Sequence, residues 1–63
     1  MTETTRKQMS IAYWGNLVQK DIAAGKSLNR IRSELRYVVE YSEVLGVSDI
    51  ETIVEIGLGL RAC

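Results

Sequence analysis

The stretch SLNRIRSELRYVVEYSEVL, residues 27–45, decides how this chain is read. Leu28, Ile31, Leu35, Val38, Val39, Ser42 and Leu45 recur at the i, i+3/i+4, i+7 spacing that stacks side chains on one helix face. Both ends are punctuated. Gly25 suits the left-handed residue that stops a preceding helix, Ser27 suits the N-cap of the next, and Gly46 closes the far end. The spacing predicts a helix of about five turns, and its apolar stripe is the surface on which flanking helices would pack. Tyr37, Tyr41 and Val44 form a second, thinner stripe to one side, for which a three-helix monomer has no obvious use.

Toward the N-terminus, a first helix is expected over about residues 5–24. Ile11, Trp14, Val18 and Ile22 share one face, with Gly15 beside them allowing close approach. Met9, Tyr13, Leu17 and Ala24 fall on a different face, broken by Lys20. This helix is therefore apolar on two sides, and a bundle core uses only one. Residues 1–5 are polar and expected to fray, with Thr2, Thr4 and Thr5 as competing N-caps. The short Ala23–Ser27 turn predicts that the first two helices lie as an antiparallel hairpin.

Toward the C-terminus, Ser48-Asp49-Ile50-Glu51 has the form of a capping box and predicts a third helix over about 48–61. Ile50, Ile53, Val54, Ile56, Leu58 and Leu60 cover more than half of its wheel. A helix so apolar must sit in a cleft between two neighbours or against a second chain. Gly57 and Gly59 each cost about 1 kcal/mol relative to alanine inside a helix, which backbone contact or a frayed end would explain.

Proline is absent and β-branched residues are scattered singly, so the fold class is all-α: one domain, a small three-helix bundle formed by a hairpin plus a C-terminal helix, completed by oligomerisation. A chain of 63 residues buries only about 60% of its unfolded surface, and association commonly makes up the shortfall. The composition, 46% hydrophobic and 25% charged, is that of a folded chain rather than a disordered tail. Cys63 is the single cysteine, so no internal disulfide can form and a reducing compartment is expected. With no hydrophobic signal region and no apolar run long enough to span a bilayer, the expected location is cytoplasmic, away from membranes.

Net charge is zero but unevenly placed. Residues 1–36 carry seven basic against three acidic groups, net +4, and residues 37–63 carry one against five, net −4. Such a dipolar chain favours head-to-tail or antiparallel self-association, or presents one basic face to an anion. In residues 27–45 the arginines crowd the N-terminal half, while Glu40 and Glu43 sit at the C-terminal end. That order opposes the helix macrodipole, which is worth roughly 0.3–1 kcal/mol per well-placed charge. Something other than local helix stability placed these charges.

Catalysis is not expected. Histidine is absent, removing the usual general base and the commonest metal ligand. Cys63 has no histidine to activate it, no glycine-rich phosphate loop exists, and the carboxylates are spaced for solvent. No cofactor and no metal are expected. Ser42 to Ser48 resembles the turn of helix-turn-helix DNA readers at Ser42, Leu45, Gly46 and Val47. It departs from that pattern beyond the turn, where the buried positions of a recognition helix would fall on Thr52 and Glu55. The outward positions, Ser48, Asp49, Ile50, Ile53 and Val54, offer neither arginine nor asparagine to base edges.

The aromatics are Tyr13, Trp14, Tyr37 and Tyr41, each with the polar handle enriched at interface hot spots. The expected function is a protein-interaction module, a homodimer or higher oligomer that acts as a regulator or inhibitor by binding and blocking a partner protein. Its candidate interface residues are Met9, Tyr13, Leu17, Tyr37, Tyr41, Val44, Ile56 and Leu60. The alternative is a regulator that binds nucleic acid or a nucleotide, with Lys26, Arg30, Arg32 and Arg36 as the anion-binding set across a subunit interface.

Overall fold

Thr2 supplies the first stop signal of the fold. Its hydroxyl accepts a hydrogen bond from the Thr5 amide at 3.1 Å and lies 2.8 Å from the Thr5 hydroxyl, fixing the start of α1, Glu3–Ala23. The computed structural model describes residues 2–61. Two further helices follow, α2, Leu28–Tyr41, and α3, Ser48–Gly57, with no strand among the described residues. The chain is therefore all-α. Residues 3–5, expected to fray, are helical because the Thr2 cap satisfies an amide that the first turn leaves without a partner.

The α1–α2 turn forms as its residues imply. Gly25 takes φ +92°, its amide donates to the Ile22 carbonyl at 3.0 Å, and the Lys26 amide donates to the Asp21 carbonyl at 3.0 Å. This is the Schellman pattern that a left-handed residue permits. Ser27 then caps α2 by accepting from the Arg30 amide at 3.3 Å.

The end of α2 departs from expectation. The helix stops at Tyr41, not Leu45, because Ser42 is extended and its hydroxyl accepts from the amides of Val44 at 3.1 Å and Leu45 at 3.0 Å. A serine that offers its side chain to nearby amides competes with the helix for them. Leu45 still reaches the core, buried from the turn rather than from the helix. The start of α3 also differs. Ser48 makes no capping bond. Instead the Asp49 carboxylate reaches back to accept from the Gly46 amide at 2.8 Å, and the Lys7 ammonium of α1 approaches the same oxygen at 3.2 Å. Asp49 is buried, so one side chain ties the second turn to α1.

The hub of the fold is α3, where the sequence pattern suggested α2. Ile53 and Val54 are sealed from solvent, and Ile50 and Ile56 are buried beside them. The principal seam lies between α1 and α3; α2 packs on α3 more than on α1. Small residues set the seam's closeness. A Cβ on Gly15 would stand 2.5 Å from Ile56 Cγ2, and one on Gly57 would collide with Val18 and approach the Gln19 amide nitrogen to 3.3 Å. Of the two settings open to so apolar a helix, α3 occupies the cleft between neighbours. It ends at Gly57, short of the expected 61. Gly59 takes φ +79°, and the Leu60 and Gly59 amides close a second Schellman turn on the Glu55 and Ile56 carbonyls.

The expected hairpin is consequently splayed. α1 and α2 share a turn but touch little, each held instead by α3. No helix among the described residues is long and apolar enough to cross a membrane.

Candidate functional site

Splaying two helices that each carry apolar residues on their facing sides leaves an open cleft of about 260 Å³ between α1 and α2. Val18, Ile31 and Leu35, all buried, form part of its lining, alongside Trp14 and Leu17 from α1 and Val38 from α2. Trp14 and Val38 are only half-buried. Tyr13 meets the Trp14 ring edge-on, with centroids 5.3 Å apart, and extends the apolar surface outward.

Near the α1–α2 turn the lining becomes ionic. Lys26 donates to both Glu34 oxygens, at 2.8 and 3.2 Å, and lies 3.5 Å from Asp21. The hydrogen bond to Glu34, chief among the influences, raises the Lys26 pKa above its ordinary 10.5 against opposing desolvation, with Asp21 adding to the rise. The same bond lowers the Glu34 carboxyl below its ordinary 4.5. Two carboxylates share this one ammonium, and the nearby Arg30 charge also favours the ionised Glu34.

The candidate interface residues separate into groups. Met9, Tyr13, Tyr37 and Tyr41 are well exposed, Tyr41 at 81% of its surface, and Leu60 projects beyond α3 at 73%. Leu17 is half-buried in the cleft wall. Val44 is half-buried and packs on the core, and Ile56 is buried against Gly15. Ile56 therefore has little surface to offer a partner. The wide apolar arc of α3 that suggested it is consumed by α1 and α2.

The basic set divides, with Arg32 and Arg36 lining one surface depression beside Glu51. Lys26 is bound to Glu34 and Asp21, and Arg32 pairs with Glu51 of α3 at 2.9 Å. Arg30 and Arg36 have no ion-pair partner among the described residues. Of the outward positions in the helix-turn-helix resemblance, Asp49, Ile50, Ile53 and Val54 are buried. No group of three or more histidine, cysteine, aspartate or glutamate side chains suited to a metal occurs among the described residues. Cys63 lies outside them.

Sequence reasoning did not find the cleft, the Asp21–Lys26–Glu34 cluster or the Asp49 anchor. Spacing put Trp14 on the core face, which it half occupies, and counted Lys26 only as a free cation. No family model matches the chain, and no curated protein or solved structure matches it either.

Proposed function

We propose that this chain is a cytoplasmic, non-enzymatic protein-interaction module that works as an oligomeric regulator, blocking a surface of a partner protein by binding it in the α1–α2 cleft. The observation that carries the reading is the open apolar wall of Trp14, Leu17 and Val38, extended by Tyr13 and bounded at one end by the Asp21–Lys26–Glu34 ion pairs. At about 260 Å³ the cleft falls below the roughly 300–1,000 Å³ usual for small-molecule sites. Its length along two helices suits the apolar edge of a helix laid into a groove. The partner segment that fits is amphipathic, with a large apolar side chain entering between Trp14 and Val38.

Trp14 is the only tryptophan and reports directly on the site. A partner recovered by affinity capture should, once purified, shift Trp14 emission to the blue on titration. Leu17→Glu should weaken binding by about 30-fold or more, equivalent to about 2 kcal/mol at a hot spot, with helicity unchanged. Unshifted emission together with undiminished binding by Leu17→Glu refutes the cleft as the site.

A further inference from the structure

α2 presents a face that none of the other helices covers. Tyr37 is 67% exposed, and Ser33, Arg36, Tyr37 and Glu40 line a shallow surface depression. The charges on α2 divide into two sets. Glu34 and Arg32 are satisfied within the chain, by Lys26 and Glu51. Arg30, Arg36 and Glu40, together with Glu43 in the turn just beyond α2, have no ion-pair partner among the described residues. Arg36 and Glu40 stand four apart, a spacing that permits pairing along one helix, yet they do not pair.

These unpaired charges are ordered positive then negative from N- to C-terminus, against the macrodipole of an isolated helix. The order becomes favourable when a second α2 lies antiparallel on the first, because each positive half then faces a negative half and the two helix dipoles oppose. We propose that α2 pairs antiparallel with α2 of a second copy of this chain, about a two-fold axis near Tyr37. A two-fold contact must be self-complementary, and this face is. Arg36 of each copy comes within reach of Glu40 of the other, twice over. The Tyr37 rings supply apolar area at the centre. The cleft between α1 and α2 remains open on another side of the helix. The inference deepens the oligomeric half of the proposed function and rests on it, while partner binding in the cleft is separate.

The geometry permits a test by charge exchange, read by sedimentation with circular dichroism as the check on folding. Arg36→Glu places glutamates opposite glutamates, and Glu40→Arg places arginines opposite arginines. Each variant alone should dimerise about tenfold more weakly or worse than the native chain. Mixed together, the two should form a heterodimer, because every contact then joins opposite charges. The double variant Arg36→Glu/Glu40→Arg should regain the homodimer. A native chain that stays monomeric at tens of micromolar overturns the inference and the oligomeric reading together, leaving Trp14 titration to judge the cleft. A native dimer indifferent to both single exchanges, or single variants that fail to pair on mixing, overturns the α2 contact alone.

Discussion

Replacing Gly57 with alanine adds one methyl group at the tightest point of the α1–α3 seam. That methyl would overlap the Val18 side chain, lie 2.9 Å from Val18 Cβ and reach 3.3 Å from the Gln19 backbone nitrogen. None of these atoms is the far end of a flexible side chain. Val18 is branched at Cβ and only 2% exposed, so relief requires α1 and α3 to part by roughly 1 Å, a gap that forfeits a quarter to a half of the contact energy along the seam. Overpacking of this kind costs about 1–3 kcal/mol. Alanine repays at most about 1 kcal/mol through helix propensity, and less at the last residue of a helix. The net loss should be about 1–2 kcal/mol, from a total of roughly 3–9 kcal/mol expected for a domain of this length. Urea unfolding followed by circular dichroism should show a lower midpoint at unchanged slope, with a melting temperature about 4–16 °C lower. A variant as stable as the native chain, or more so, would mean that propensity outweighs contact and that the seam is looser than these distances require.

Two further outcomes follow from the ionic contacts. Asp49→Ala should cost about 1–3 kcal/mol by stranding the Gly46 amide, whereas Asp49→Asn, which still offers an oxygen acceptor, should retain most of that stability; equal losses in urea melts would show that the Lys7 charge matters more than the cap. The lowered Glu34 pKa makes its pairing with Lys26 fully stabilising above pH 4.5 and lost as pH falls through the depressed folded value. The raised Lys26 pKa gives the opposite limb, complete below pH 10.5 and lost as pH rises through the elevated value. The urea midpoint of Glu34→Gln should therefore trail the native one at pH 7 and converge with it at acid pH; a constant gap would place the effect elsewhere.

Helix number and type were legible because the sequence separates the apolar patterns with capping residues. Ser27 and Gly25 behave as their chemistry dictates, and the Gly15 approach expected beside Trp14 is the contact with Ile56. The centre of the fold was not legible in the same way. Periodicity reports how amphipathic a helix is, and α2 is the most regularly striped, but the helix enclosed on two sides is the one with the widest apolar arc. That arc in α3 was visible; whether its neighbours came from the same chain was not, since a wheel carries no information about other helices. The ends of α2 and α3 moved inward through Ser42 and Gly59, whose local bonds compete with helix continuation. Asp49 escaped notice because its role depends on Lys7, more than forty positions away in the sequence. The cleft arises from an angle between helices, which no single helical pattern encodes.

Among the described helices, the hub of this fold is also the last to be made. A ribosome releases α1 and α2 first, and these two touch little on their own, so the emerging segment has almost nothing to condense upon. Leu35, Ile31 and Val18 meet their full set of neighbours only when Ile50, Ile53 and Val54 have cleared the exit tunnel. Folding is thereby deferred until α3 has emerged and joins distant parts of the chain in one step. A chain arrested before residue 48 therefore lacks the helix on which both α1 and α2 pack.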